Sequence, residues 1–389
     1  MRVMESTIIA GAGMTPFGKF LDRGLTDLGI PACLAAVEDA GIAPSEIQAA
    51  YCGNVFGGPV PGERLVAAMG LGGIPVTNVE NYCASGSTAL REAAIAVGAG
   101  LYDAVLVIGV EKLFGRVADG LLPDDEDLEG ALGLVMAAQY AMRFQLHRER
   151  YGTTREQMAM VSVKNHRNAV HNPNSQYRKE LTLEQVLASR PIVEPGIHLL
   201  DCAPIGDGAA ALVLMSKERA DREASAPGSE FQPVTLRTVA LNSGRNQTEL
   251  ADLTFETITA DAGLMAYEDA AIGPEDIDVA EVHDCFSMAE ILRVEALGLC
   301  KPGEYGPLIE RGHWEIGGAL PVNPSGGLLS KGHPLGATGV AQVCELAWQL
   351  RGRAGERQVA GARTGLSHCR GGTVYGTDGA SCTVAIVTR

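Results

Sequence analysis

Cys83 stands between the apolar "IPVTN" and a run of small residues, in "NYCASGSTALREAA" (81–94), that turns into helix. A thiol there admits two readings. As a small hydrophobe it packs under the helix, since free cysteine is among the most buried residue types. As a nucleophile it gains from the positive end of the backbone dipole, which lowers a thiol pKa from about 8.5. Three other segments offer partners. "AEVHDCFSMAEIL" (280–292) leaves a strand, shows His283, Asp284 and Cys285 in a loop and enters a helix. "NPSGGLLSKGHPLGATG" (323–339) sets His333 among glycines, which permit close backbone approach to a ligand. Ser325, Gly326 and Gly327 of that segment are candidates to bind substrate. "SHCRGGTVYG" (367–376) places Cys369 before two glycines whose backbone N–H groups could face a developing negative charge. Each segment alone has a plain equivalent: a buried cysteine, a capping histidine, a glycine-rich turn. Together they supply what a thiol nucleophile needs, namely a base, a second acid/base and donors for a carbonyl oxygen.

A duplicated scaffold is expected to carry these groups. "AVEDAGIAPSEIQAAYCGN" (36–54) and "AYEDAAIGPEDIDVAEVHD" (266–284) each read as a helix ending in an acidic pair and alanine, a turn through Ile-x-Pro, and a short strand running into a loop. A weaker echo relates "CASGST" at 83 to "HPLGAT" at 333, so that Cys83 and His333 fall in equivalent strand-to-helix loops of two similar halves. A pseudo-twofold axis would bring them together. Between the halves, the acidic "PDDEDLE", a polar helix and the basic "KNHRNAVHNPNSQYRKE" read as an inserted loop domain. "DGAAALVLMS" (207–216) resumes strand, "REASAPGSEFQP" (222–233) has linker composition, and "SCTVAIVT" as the last strand makes Cys382 a core residue. The expected division is 1–116 with 201–228, then 117–200, then 229–389.

The chain's 389 residues suit two or three domains with interior enough for an enclosed site. With 20% charged and 46% apolar residues the composition is soluble and globular, and 48 glycines imply many tight turns. A net charge of −16 argues against nucleic acid as a general partner. Lys164, His166, Arg167, Arg178 and Lys179 could meet phosphates, a solvated basic face being the plainer alternative. No run approaches the roughly 20 apolar residues that span a bilayer. "MRVMESTIIAGAG" reads as a first strand and not a signal peptide, which points to the cytoplasm. The nine cysteines lack C-x-x-C or other metal-ligand spacing and read as reduced thiols with no metal site. "GAGMTPFG" near the start shares glycines with a dinucleotide loop, but Pro16 and a missing third glycine leave a turn.

With "NYCASGSTAL", "GHPLGATG" and "CRGG" in order along the whole chain, the sequence resembles the thiolase family. Where many thiolases carry Asn-Glu-x-Phe, this chain has His283-Asp284-Cys285-Phe286, which is similar to the sterol-carrier-protein type, as are "KNHRNAVHNP" and "DCAPIGDGAAALVL". The resemblance implies an α/β thiolase fold with duplicated halves in five αβαβα layers and an inserted loop domain, usually built into homodimers. It also implies reversible thiolytic cleavage of a 3-oxoacyl-CoA by coenzyme A, with no permanently bound cofactor. By that resemblance Cys83 takes the acyl group, His333 activates it, and His283 with His333 polarises the thioester oxygen. The backbone N–H groups of Cys83 and Gly371 would hold the oxyanion, and a second cysteine would move the α-proton. Cys285 and Cys369 both fit that last role. Cys285 is set first, because Arg370 beside Cys369 would hold that thiol as a thiolate, a poor proton donor. The rivals are a retro-aldol carbon–carbon lyase of the same fold, whose members typically lack the nucleophilic cysteine, and a non-catalytic subunit, which should have lost a reactive residue. Several members of the branch act with a small zinc-ribbon and OB-fold companion protein.

Overall fold

Apolar runs without polar alternation, such as "AVLVIGV" at 104–110, are what strands covered on both faces require. The computed structural model describes residues 7–117, 128–246, 252–374 and 378–389, so residues 123–127 of the acidic run lie outside it. Strands and helices alternate through β1 (Thr7–Met14), α1 (Leu25–Ala40), β2 (Ala49–Gly53), α2 (Pro61–Ala68), β3 (Val76–Val79), α3 (Ser85–Gly98) and β4 (Ala104–Glu111). Four helices follow, α4 (Leu128–Ala131), α5 (Met136–Tyr151), α6 (Arg155–Ala169) and α7 (Leu183–Leu187), then a small hairpin of β5 (Pro191–Val193) and β6 (Ile197–His198). Next come β7 (Gly208–Ser216), α8 (Lys217–Ala224), β8 (Val234–Asn242), α9 (Thr257–Ala270), β9 (Val279–Val282) and α10 (Ser287–Ala296). The chain closes with α11 (Tyr305–Glu310), α12 (Leu335–Arg351), β10 (Thr364–Gly371) and β11 (Ser381–Thr388).

Strand order makes the duplication visible. Nine of the strands form one sheet in the order β3-β2-β4-β7-β1-β8-β11-β10-β9. Reading outward from the β1–β8 junction, each side passes two antiparallel neighbours and then a parallel pair, β4 with β2 on one side and β10 with β9 on the other. Val322 makes a parallel bridge to Ala280 of β9, in the place that β3 holds beside β2. Among the described residues the two groups join through two register pairs, Ile8 with Thr235 and Ile9 with Val234.

Glycine decides how closely the layers approach. "GAGM" (11–14) is strand and not the expected turn, which starts only at Thr15. A Cβ on Gly11 or Gly13 would lie 1.9 Å from the Ala36 carbonyl or 2.3 Å from that of Ala32, so these glycines let α1 rest directly on β1. Helices α3 and α12 form the shared layer, each touching strands of both groups. Their first turns meet backbone to backbone, since a Cβ on Gly86 would sit 2.3 Å from the Gly336 carbonyl. α12 is buried nearly throughout. No helix among the described residues is long and apolar enough to cross a membrane.

Candidate active site

The close approach of α3 and α12 juxtaposes the residues just ahead of each helix. His333 Nε2 lies 3.2 Å from Cys83 Sγ. The His283 ring stands edge-on to His333, with centroids 5.0 Å apart, and its Nδ1 is 3.3 Å from Cys369 Sγ. The Cys369 thiol donates to the Cys83 carbonyl at 3.0 Å. All four side chains are buried.

Cys83 is held by local turn chemistry. Tyr82, immediately before it, takes a left-handed φ of 53°, and Ser85 Oγ accepts from Asn81 N at 2.9 Å while donating to the Tyr82 carbonyl. Such a turn persists only where its surroundings enforce it. The helix start does not make the resting thiol acidic: burial pushes the Cys83 pKa well above the ordinary cysteine value, and Cys369 and Cys285 add to the effect. Desolvation of a thiolate outweighs the dipole here, so the thiol needs a base.

His333 offers a ring nitrogen in a defined tautomer. Thr338 Oγ1, in the first turn of α12, donates its proton to the Pro334 carbonyl at 3.0 Å and therefore accepts from His333 Nδ1 at 2.8 Å. The proton sits on Nδ1, and the Nε2 lone pair faces the Cys83 thiol. Burial, then Arg293, lowers the His333 pKa to about 3, which keeps the ring neutral. Buried Glu111 fixes the same helix end by accepting from the amides of Gly336, Val55 and Phe56. Thr338 and Glu111 escape sequence reading for the base, although Thr338 lies within "GHPLGATG" and shares its helical turn.

Cys285 occupies a different environment. Its thiol donates to Tyr140 Oη at 3.6 Å, and the buried Arg293 guanidinium approaches Sγ at 3.5 Å while also donating to the His283 carbonyl. Arg293 donates to Tyr140 Oη at 2.7 Å and pairs with Glu256 at 3.1 Å. Burial alone would raise the Glu256 carboxyl, yet Arg293, Arg370 and Arg143 hold it well below the usual range. Arg370, expected to act on Cys369, does not. Successive β10 side chains alternate faces, and its guanidinium reaches Glu256 and the Asp378 carbonyl. The cation beside a thiol is Arg293, at Cys285, and the ground for setting Cys285 ahead of Cys369 is reversed.

The other expected site residues divide. Gly371 backs the nucleophile turn, where a Cβ would fall 2.0 Å from the Asn81 carbonyl. Ser325, Gly326 and Gly327 form scaffold instead of an open ligand surface. Ser325 Oγ donates to Glu281 at 2.6 Å and accepts from Lys331, while Cβ atoms on Gly326 and Gly327 would collide with Ala169 and Asp284. Asp284 accepts from the amides of Leu328 and Leu329 and ties this segment to the His283 loop. Burial and then Glu290 raise its pKa to about 8. Lys164 is no phosphate contact, being fully buried against Glu290 at 2.9 Å. The segment after Asp201 braces both loops, with Cys202 bridged to Phe286 and Ile205 to His333.

Residues 7–218 match the family model described as thiolase, N-terminal domain, and residues 240–382 match thiolase C-terminal domain-like. The chain is 42% identical over 386 residues to an acetyl-CoA acetyltransferase of Methanothermobacter thermautotrophicus, covering 95% of this chain and 97% of that one. It is 41% identical over 376 residues to sterol carrier protein 2 of Bos taurus, covering 92% and 69%. Among solved structures an Ltp2–ChsH2(DUF35) aldolase superposes with a TM-score of 0.81 at 28% identity, covering 98% of each chain. The matches reach across both halves of the duplicated scaffold: the chain belongs to the thiolase family.

Proposed function

We propose that the protein is an acyl-CoA C-acyltransferase that cleaves a 3-oxoacyl-CoA with coenzyme A, or runs the reverse Claisen condensation, through an acyl group on Cys83. The observation that carries this reading is the 3.2 Å approach of a deprotonated imidazole nitrogen to a buried thiol. In the cleavage direction Cys83 Sγ attacks the 3-oxo carbon and its proton passes to His333 Nε2. The C2–C3 bond then breaks, the acyl group stays on Cys83, and the departing enolate takes a proton at C2 from a second thiol. Coenzyme A thiol next attacks the acyl-cysteine, yielding the shortened acyl-CoA, free Cys83 and, with its proton transferred, a restored second thiol. We assign that thiol to Cys369, which lies against His283 and the Cys83 carbonyl, whereas the Arg293 guanidinium is in contact with Cys285. The N–H groups of Cys83 and Gly371 are the proposed oxyanion donors, each worth roughly 10² to 10³ in rate.

The division of the chain at 117–200 and near 229 belongs to this proposal and is supported by the matching strand orders on either side of the β1–β8 junction. A homodimer is supported by the open edge of β3, where Thr77 and Asn78 are exposed. Nine cysteines, none in a disulfide, favour the cytoplasm. The pairing of Ltp2 with ChsH2(DUF35) in the aldolase supports a small companion protein here and also a second reading, carbon–carbon lysis without a covalent intermediate. Incubation with a panel of 3-oxoacyl-CoA esters, with and without coenzyme A, followed by mass spectrometry of the intact protein separates the two. An acyl adduct on Cys83 is expected. Cleavage with no adduct at any time point, unaffected by alkylation of Cys83, overturns acyl transfer in favour of lysis.

A further inference from the structure

Cys83, His283 and His333 come from three distant segments, so no spacing in the sequence marks them as a ligand set. In the fold, one thiol sulfur and one nitrogen from each imidazole lie within 4.8 Å of one another, all buried. A tetrahedral Zn²⁺, with Zn–S about 2.3 Å and Zn–N about 2.0–2.1 Å, places such atoms roughly 3.3–3.6 Å apart. The His333–Cys83 edge of the triangle is already 3.2 Å, and closing the rest requires a shift on the order of an ångström at His283.

The outer contacts suit a metal as well as a proton. Zinc-ligating histidines almost always donate their second ring nitrogen to an oxygen, which fixes the tautomer and orients the ring. Thr338 Oγ1 does this for His333 and is itself anchored on the Pro334 carbonyl. The nearest cation, Arg293, donates to the His283 backbone carbonyl, and its charge is paired with Glu256. Three protein ligands with one open position is the ligand count of reactive zinc sites.

We propose that the Cys83–His283–His333 triangle is a binding site for Zn²⁺ and chemically similar divalent cations, and that the bound ion blocks the nucleophile. Binding releases the Cys83 thiol proton to solvent and forms a metal–thiolate bond, with no change of oxidation state. The proposal goes beyond acyl transfer and does not depend on it, because the ligand set exists whatever the substrate.

Chelator-treated protein titrated with Co²⁺ reads the site directly through thiolate-to-cobalt charge-transfer absorption, and Zn²⁺ added afterwards should abolish that absorption by displacement. One equivalent is expected. Alkylation of Cys83 in the wild-type protein, Cys83→Ser and His333→Ala should each eliminate the charge-transfer band, whereas Cys300→Ser should retain it. Thr338→Val should weaken binding by about tenfold, as loss of an outer contact does. Zn²⁺ should prevent alkylation of Cys83 by iodoacetamide, and a chelator should restore it, a readout independent of any substrate. Absence of a charge-transfer band, a band that survives Cys83 alkylation, or equal loss in Cys300→Ser overturns the site. Metal binding without acyl transfer would leave this inference standing and remove the proposed function.

Discussion

Two neighbouring regions of the site differ in kind. Around Cys83 the groups are neutral: burial raises the thiols of Cys83 and Cys369 and lowers the imidazoles of His283 and His333, so each holds or accepts a proton without carrying charge at rest. Around Cys285 the groups are fixed ions, with Arg293 and Arg370 gathered on Glu256. Proton transfer over short distances is easy between neutral partners of adjustable affinity, whereas a buried ion pair resists change because separating it leaves an uncompensated charge. The neutral region is suited to chemistry and the ionic one to holding position.

The largest test of that contrast lies in the neutral region. Cys83→Ala should remove the acyl adduct and lower turnover by about 10⁴ or more, the scale on which losing a nucleophile is felt. His333→Ala should lower both acylation and the carbon–carbon step by at least about 10², since one ring activates the thiol and helps to bind the oxyanion. Rapid-quench acylation and steady-state thiolysis measure both. An adduct on Cys285 or Cys369 with Cys83 unmodified would sink the assignment.

The next test sets one thiol against the other. Cys369→Ala should still yield the acyl adduct on Cys83 but slow its formation from a 3-oxoacyl-CoA, and turnover with it, by about 10², because the departing enolate loses its proton donor. Cys285→Ala should stay within a few-fold of wild type in both. Full turnover in Cys369→Ala together with loss in Cys285→Ala would place the proton carrier in the ionic region and break the comparison.

Much of this was legible in the sequence, and the reason lies in where the information sits. The "CASGST" and "HPLGAT" echo foretells that Cys83 and His333 meet, because a repeat carries its geometry with it. Strands β4, β7 and β11 are readable as apolar runs. The order of Cys285 and Cys369 is not readable, because adjacency in sequence suggested that Arg370 faces Cys369, while β10 alternation turns it away and the helical register of α10 delivers Arg293 to Cys285 instead. Burial defeats the helix-dipole argument for an acidic Cys83 for a similar reason, since desolvation depends on what covers a residue. Ser325, read among glycines as open to ligand, is covered by Lys331 and Glu281.

Protons sharpen the contrast further. His333 and His368 are both held to about 3 by burial and then by Arg293, far below the ordinary 6.5. Between those values the unfolded chain binds protons at these two imidazoles that the folded chain refuses, so their contribution to stability is full above about pH 6.5 and falls as pH drops toward 3. Asp284, protonated in the folded chain up to about 8, acts in the opposite sense, one carboxyl against two imidazoles. Denaturant midpoints at about pH 6 and about pH 4.5, where the two imidazoles outweigh the one carboxyl, would show the net fall, and a midpoint that rises from the first to the second would contradict neutral imidazoles. In the pH profile of acylation, no acid limb is expected between about pH 5 and 8, because the base is already unprotonated there. Thr338→Val, which leaves His333 Nδ1 without its acceptor, should cost about tenfold in acylation rate by loosening the tautomer.

The smallest effect is predicted at Tyr140, which links α5 to the ionic region. Its ring stacks on Phe286 with centroids 4.6 Å apart, and its hydroxyl accepts from Arg293 at 2.7 Å and from the Cys285 thiol at 3.6 Å. Tyr140→Phe keeps the stacking and deletes the acceptor. Arg293 retains Glu256 and the His283 carbonyl, so the loss is that of one hydrogen bond from a charged donor, about 1.5–3 kcal/mol of stability, together with the long, weak one from the Cys285 thiol. Turnover should change by less than about threefold, because no group that holds a moving proton is touched. Equilibrium unfolding beside steady-state thiolysis would separate the two quantities. A Tyr140→Phe enzyme with wild-type stability but turnover reduced by a hundredfold would show that the ionic region takes part in the chemistry, and would erase the distinction between position and reaction on which the assignment of Cys369 rests.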